Sequence, residues 1–142
     1  MNNGYTRAAT SPPITVLPGP PVLTSLSPSA ATVGGAAFTL TVNGNGFTSG
    51  SAVRWNGSDR TTTYVSATQL QAAISASDIA TISTAQVTVN APDAGGLSSP
   101  LPFKVLPPPT LSVNTTTAVG GTSVTVTLAN GVGGSTDWLA LA

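Results

Sequence analysis

Polar and apolar residues exchange places at every second position through much of this chain. In "AFTLTVNGNGF", Phe38, Leu40 and Val42 fall on one face while Thr39, Thr41 and Asn43 fall on the other. A period of two marks a strand with one face buried and one in solvent. "SAVRWNG" repeats it, with Val53 and Trp55 inward and Arg54 outward, and ends at Asn56-Gly57, a pair that favours a tight hairpin turn. Further strands are expected over residues 61–65, 69–74, 86–90 and 102–106, with Gly34-Gly35 and Gly95-Gly96 as turns. Residues 77–83, "SDIATIS", are expected to make one helical turn capped by Ser77. Many short strands separated by turn signals predict an all-β sandwich.

Two proline clusters punctuate the pattern, "PGPP" at 18–21 and "PPP" at 107–109. Consecutive prolines favour the extended polyproline II conformation and cannot donate to a sheet ladder. Each therefore marks a short, semi-rigid joint between β-modules. The expected division is a closing strand of an incomplete module over 1–17 and a linker over 18–20. A sandwich over 21–106, a second linker over 107–109 and the opening strands of another incomplete module over 110–142 follow.

Within the central block, Ser27-Pro28, Gly34-Gly35, the alternating Phe38/Leu40/Val42 and Gly44-Asn45-Gly46-Phe47 together resemble the IPT/TIG domain. The resemblance runs from Pro21 to Leu106 and implies an early-set immunoglobulin-like sandwich, common as a spacer in bacterial surface and secreted proteins. Some relatives in transcription factors contact DNA, but the basic loops for that are missing here. The flanks resemble a second, bacterial Ig-like module that often occurs in tandem. "PTLSVNTTTAVGGTSVTVTLANGVGGSTDWLALA" is similar to its opening strands and "NNGYTRAATSPPITV" to its closing strand. That likeness is carried mainly by Asn3-Gly4-Tyr5-Thr6-Arg7 and Thr136-Asp137-Trp138.

Charge changes the picture by its scarcity. Four Lys/Arg balance four Asp/Glu, all of them Asp, for a net charge of zero. Nucleic acids and anionic membranes are found through clustered cations, so neither is an expected partner. Cysteine and histidine are absent, which removes disulfides, thiol nucleophiles, imidazole bases and the usual zinc ligands. No stretch approaches the length of a spanning helix, and "MNNGYTR" lacks the apolar core of a secretory signal. No cofactor is expected.

Few residues offer chemistry. Trp55 sits at strand spacing and is expected in the core. Trp138 is the carbohydrate-contact candidate, since an aromatic face can stack on sugar. Asp59, Asp78 and Asp93 are expected as turn or cap residues, too far apart in sequence to announce a calcium site or a glycosidase pair. Lys104 lies near the last strand and is a candidate for an isopeptide bond, although such bonds need a buried acid and the chain has no Glu. Asn56-Gly57-Ser58 and Asn114-Thr115-Thr116 match the short glycosylation sequon, and "NGNG" lacks the Lys-Ser/Thr of a phosphate loop.

The flanks carry the functional expectation. The C-terminal one has an apolar stripe at Val124, Val126 and Leu128 and a later Trp138; the N-terminal one offers Tyr5, Arg7, Ile14 and Val16. Neither can satisfy its backbone and bury its stripe alone. Three arrangements are open: the missing strands lie elsewhere in a longer tandem protein, one chain's first strand completes the next chain's last module, or the flanks stay loosely ordered. A head-to-tail contact of the second kind does not close and builds filaments. The expectation is a non-catalytic structural or adhesive segment of a bacterial extracellular protein, with copies of itself or adjacent modules as partners. The alternatives are a carbohydrate-binding or spacer module of a secreted hydrolase, with polysaccharide as partner, and an Ig-like decoration domain of a virion.

Overall fold

The computed structural model describes residues 18–113, 119–121, 123 and 125–129. The chain forms β1 (Val22–Ser27), β2 (Ala30–Thr32), β3 (Phe38–Asn45), β4 (Ala52–Trp55) and β5 (Ser58–Asp59). It continues through β6 (Thr62–Ser66), β7 (Gln69–Ile74), β8 (Ser83–Ala91), β9 (Gly96–Leu97) and β10 (Leu101–Leu106). One sheet has the order β1-β3-β7-β6 and the other β2-β10-β8-β4-β5, with β9 added to β8. β1 pairs antiparallel with β3, whereas β2, just past the cis Ser27–Pro28 bond, pairs parallel with β10 in the opposite sheet. The chain changes sheets again between β5 and β6. The result is an all-β, immunoglobulin-like sandwich.

The strand faces follow the periodicity. Leu40 and Val42 on β3, Leu70, Ala72 and Ile74 on β7, and Ala85, Val87 and Val89 on β8 are all buried. Phe103 on β10 is fully buried and stacks on Phe38 of the opposite sheet at 5.8 Å between centroids. Trp55 of its own sheet tilts against it at 5.1 Å, which makes Trp55 a core residue. The outer face of the first sheet is polar: Asn43 donates to Ser25 Oγ at 3.1 Å and accepts from Gln69 Nε2 at 3.1 Å, a ladder across β1, β3 and β7.

At Asn56-Gly57 the expected tight turn forms, with both residues at positive φ, 50° and 83°. Asn56 also extends the β4–β8 ladder, donating its N–H to Gln86 O at 2.9 Å and accepting from Gln86 N–H through Oδ1 at 2.8 Å. The helical turn differs from expectation. It is a 3-10 turn over Ala76–Ile79 with Ser75, not Ser77, as its cap. The reason is chemical: three residues past Ser75 stands Asp78, whose Oδ2 accepts from Ser75 N–H at 3.0 Å and Ser75 Oγ at 2.8 Å. Three residues past Ser77 stands only Ala80. Ile79 is buried and closes the turn, so the next strand starts early, at Ser83 rather than Gln86.

That turn is tied across the sandwich. Arg60 lies where the chain crosses from β5 to β6, and its guanidinium grips Asp78 with two prongs, Nε to Oδ2 at 3.0 Å and Nη2 to Oδ1. Its Nη1 donates to Ser58 O and Asp59 O at 3.2 and 3.0 Å. Burial alone would raise the Asp78 pKa, but the hydrogen bonds from Arg60 and Ser75 outweigh it and hold the carboxyl below its ordinary value of 3.8.

The start of the described chain is seated too. Pro21 is fully buried, and the backbone of residues 18–20 lies against Gly95. A Cβ at Gly95 would come within 2.6 Å of Pro18 O, Gly19 C and Pro20 N, and its φ of +80° is left-handed.

Two outcomes follow from these contacts. Asp78→Ala should lower urea stability by about 1–3 kcal/mol, the range for charged hydrogen bonds. Because the folded pKa is depressed, the Asp78 contribution is complete above the unfolded value and disappears as pH falls through the lowered one. Urea midpoints measured down a pH series should therefore drop less steeply in Asp78→Asn than in the parent chain. Gly95→Ala should cost about 1–3 kcal/mol by the same assay, combining left-handed strain with eviction of the linker backbone, and should speed amide exchange at Gly19.

Candidate assembly surface

Past the sandwich, Pro107–Pro109 interrupt pairing, and the chain then forms a separate two-stranded sheet. β11 (Thr110–Val113) runs antiparallel to β12 (Val126–Ala129), with Leu111 opposite Leu128 and Val113 opposite Val126. Directly opposed residues share a face of the pleat. Leu111, Val113 and Val126 therefore stand on one side, and Thr110, Ser112 and Thr127 on the other. β11 is exposed along its whole length, with Leu111 at 57% and Val113 at 48%. Among the described residues, no third strand joins this sheet. Two strands alone are marginal in water, and among the described residues no strand pairs with the outer edge of either, while the apolar side chains of β11 are exposed.

Of the residues expected to mediate assembly, Val126 and Leu128 lie on β12. Tyr5, Arg7, Ile14, Val16, Val124 and Trp138 lie outside the described residues, as does the sequon at Asn114. Leu111 and Val113 are not among the residues expected from the sequence. Their signal was present, since Thr110-Leu111-Ser112-Val113 alternates like any half-buried strand, but it spans only four residues directly after a proline run.

Elsewhere, charges neutralise one another instead of gathering. Arg54 Nε donates to Asp59 Oδ1 at 2.6 Å across the β4–β5 hairpin, and Arg60 pairs with Asp78. Asp93 is the middle residue of the short 3-10 turn Pro92–Ala94, and Lys104 is exposed on β10 between Ala30 and Thr84; among the described residues no carboxyl is fully buried, as isopeptide chemistry needs. Among the described residues, no three carboxylates converge on a metal-sized site. Nor is any described helix long and apolar enough to cross a membrane. A groove of about 170 Å³ beside the linker is walled by Pro21, Leu23, Leu97, Pro100 and Leu101 and holds no ionisable group. These surfaces offer contact area and ladder edges.

The chain matches no curated protein. A family model described as the IPT/TIG domain matches residues 21–105, the span occupied by the two facing sheets. The match starts at the buried Pro21 and ends at Val105, the last inward residue of β10. With more than half of its 142 residues in that match and an immunoglobulin-like sandwich built over them, the chain belongs to the IPT/TIG family.

Proposed function

We propose that this chain is a non-catalytic structural segment of a bacterial extracellular or surface protein, joined in series to like modules by strand addition. The observation that carries the reading is the β11–β12 sheet, whose apolar face leaves Leu111 and Val113 exposed. Ig-like domains of this kind are generally non-catalytic, and here two of the few cations, Arg54 and Arg60, are engaged in ion pairs with Asp59 and Asp78. A strand added to the edge of a two-stranded sheet satisfies a row of backbone groups and covers alternate side chains. The segment 14–16, with Ile14 and Val16 two residues apart, has the period such a strand needs. Supplied by a neighbouring copy, it links chains head to tail; supplied by an adjacent module of the same polypeptide, it makes a tandem array. Proline joints on either side of the sandwich limit bending between units.

Sedimentation and negative-stain microscopy test this. The full chain should associate with rising concentration into end-to-end assemblies, while a chain lacking residues 1–17 should remain a folded monomer. Leu111→Lys with Val113→Lys should weaken association at least about tenfold, since burial of each aliphatic side chain contributes roughly 1.5–3 kcal/mol. The thermal midpoint of the sandwich should be unmoved. Assembly that persists unchanged without residues 1–17 removes the donor role of the first segment. Assembly unaffected by the two lysines removes the β11–β12 face from the interface.

A further inference from the structure

The run Asn43-Gly44-Asn45-Gly46 places two Asn-Gly pairs two residues apart, and the fold treats them differently. Asn43 lies within β3 with its side chain held at both ends, by Ser25 Oγ and by Gln69 Nε2. The following amide, Gly44 N–H, donates to Thr68 O at 3.0 Å. Asn45 is the last residue of β3 and is exposed. Its side chain has no hydrogen-bond partner among the described residues, and Gly46 N–H donates to none. Gly46 sits at φ +79°, past the end of the ladder, with no Cβ to block its nitrogen.

We infer that Asn45 is a site of spontaneous deamidation, protected neither in its electrophile nor in its nucleophile, while Asn43 is shielded in both. The Gly46 amide loses its proton to solvent base, and its nitrogen attacks Asn45 Cγ. A C–N bond forms, the Cγ–Nδ2 bond breaks, and nitrogen leaves as ammonia after taking a proton from water. Water then opens the cyclic imide at either carbonyl, giving aspartate or isoaspartate, with no change of oxidation state. Ring closure requires the side chain to swing back over the main chain and the amide to come free. At Asn43 that means opening three hydrogen bonds inside a strand; at Asn45 it requires only fraying of a strand end.

The consequence is local and chemical. Either product adds one negative charge to a chain of net charge zero. The isoaspartate also inserts a methylene into the main chain where β3 hands over to Phe47. Phe47 is buried, its N–H bonded to Ala67 O at 3.1 Å. Asn45 is also the Cα partner of Val22, next to the buried Pro21 where the linker meets the sandwich. Modification there would loosen the seat of the linker, with time as its trigger.

The test is a time course of the native full chain at mildly alkaline pH. Peptide mapping with electron-based fragmentation would assign aspartate and isoaspartate separately at positions 43 and 45 of one peptide. Conversion at Asn45 should run about tenfold or more ahead of Asn43, the margin expected when three net-favourable hydrogen bonds must open first. In urea, where both pairs have the same Gly neighbour and no structure, the two rates should converge. Equal rates in the native chain, or a native ratio no larger than the one in urea, would overturn the inference.

Discussion

Phe103 packs at the meeting point of the two sheets, with Phe38 reaching it from across the sandwich and Trp55 from its own side. The rest of the structure depends on that burial, because little else is available to hold the sheets together. The chain has no disulfides and few charges, so cohesion comes from apolar area removed from water and from ladder hydrogen bonds that leave buried backbone groups paired. Every central strand contributes alternate side chains to this one layer, and the outward positions are mostly polar, such as Thr39, Thr41 and Asn43 on β3 and Gln69 and Gln71 on β7.

Within so neutral a molecule, the ion pair between Arg60 and Asp78 has a structural use out of proportion to its size. It joins the crossover between sheets to the short turn between β7 and β8, two irregular segments that contribute few ladder bonds of their own. Asp78 serves twice, capping its own turn through Ser75 and receiving the guanidinium from a distant one. Irregular backbone near a core has polar groups that must find partners, and here side chains supply them.

Burial also separates the closed part of the molecule from the open part. Residues 21–105 have two faces that cover each other and irregular ends tied down by Pro21, Gly95 and Arg60. β11 and β12 have one apolar face and nothing described against it. An added strand or surface would cover that face, so the assembly proposal rests there and not on the sandwich.

Periodicity along the sequence was enough to identify the inward residues Leu40, Val42, Val53 and Trp55, the Asn56-Gly57 hairpin and the all-β class, because each depends on neighbours a few positions away. Residues Ser27-Pro28 through Phe47 were likewise enough to point to the family. The helical cap was misplaced by two residues, since Ser75 and Ser77 look alike until Asp78 is seen to close on one of them. The pairing of Arg60 with Asp78, the stacking of Phe38 on Phe103 and the exposure of Leu111 and Val113 belong to the tertiary structure alone. So does the difference between Asn43 and Asn45, two residues with the same following neighbour. Local spacing determines which way a side chain points from its strand, but which strand lies beside it, and whether anything covers it, is decided only when distant segments pair.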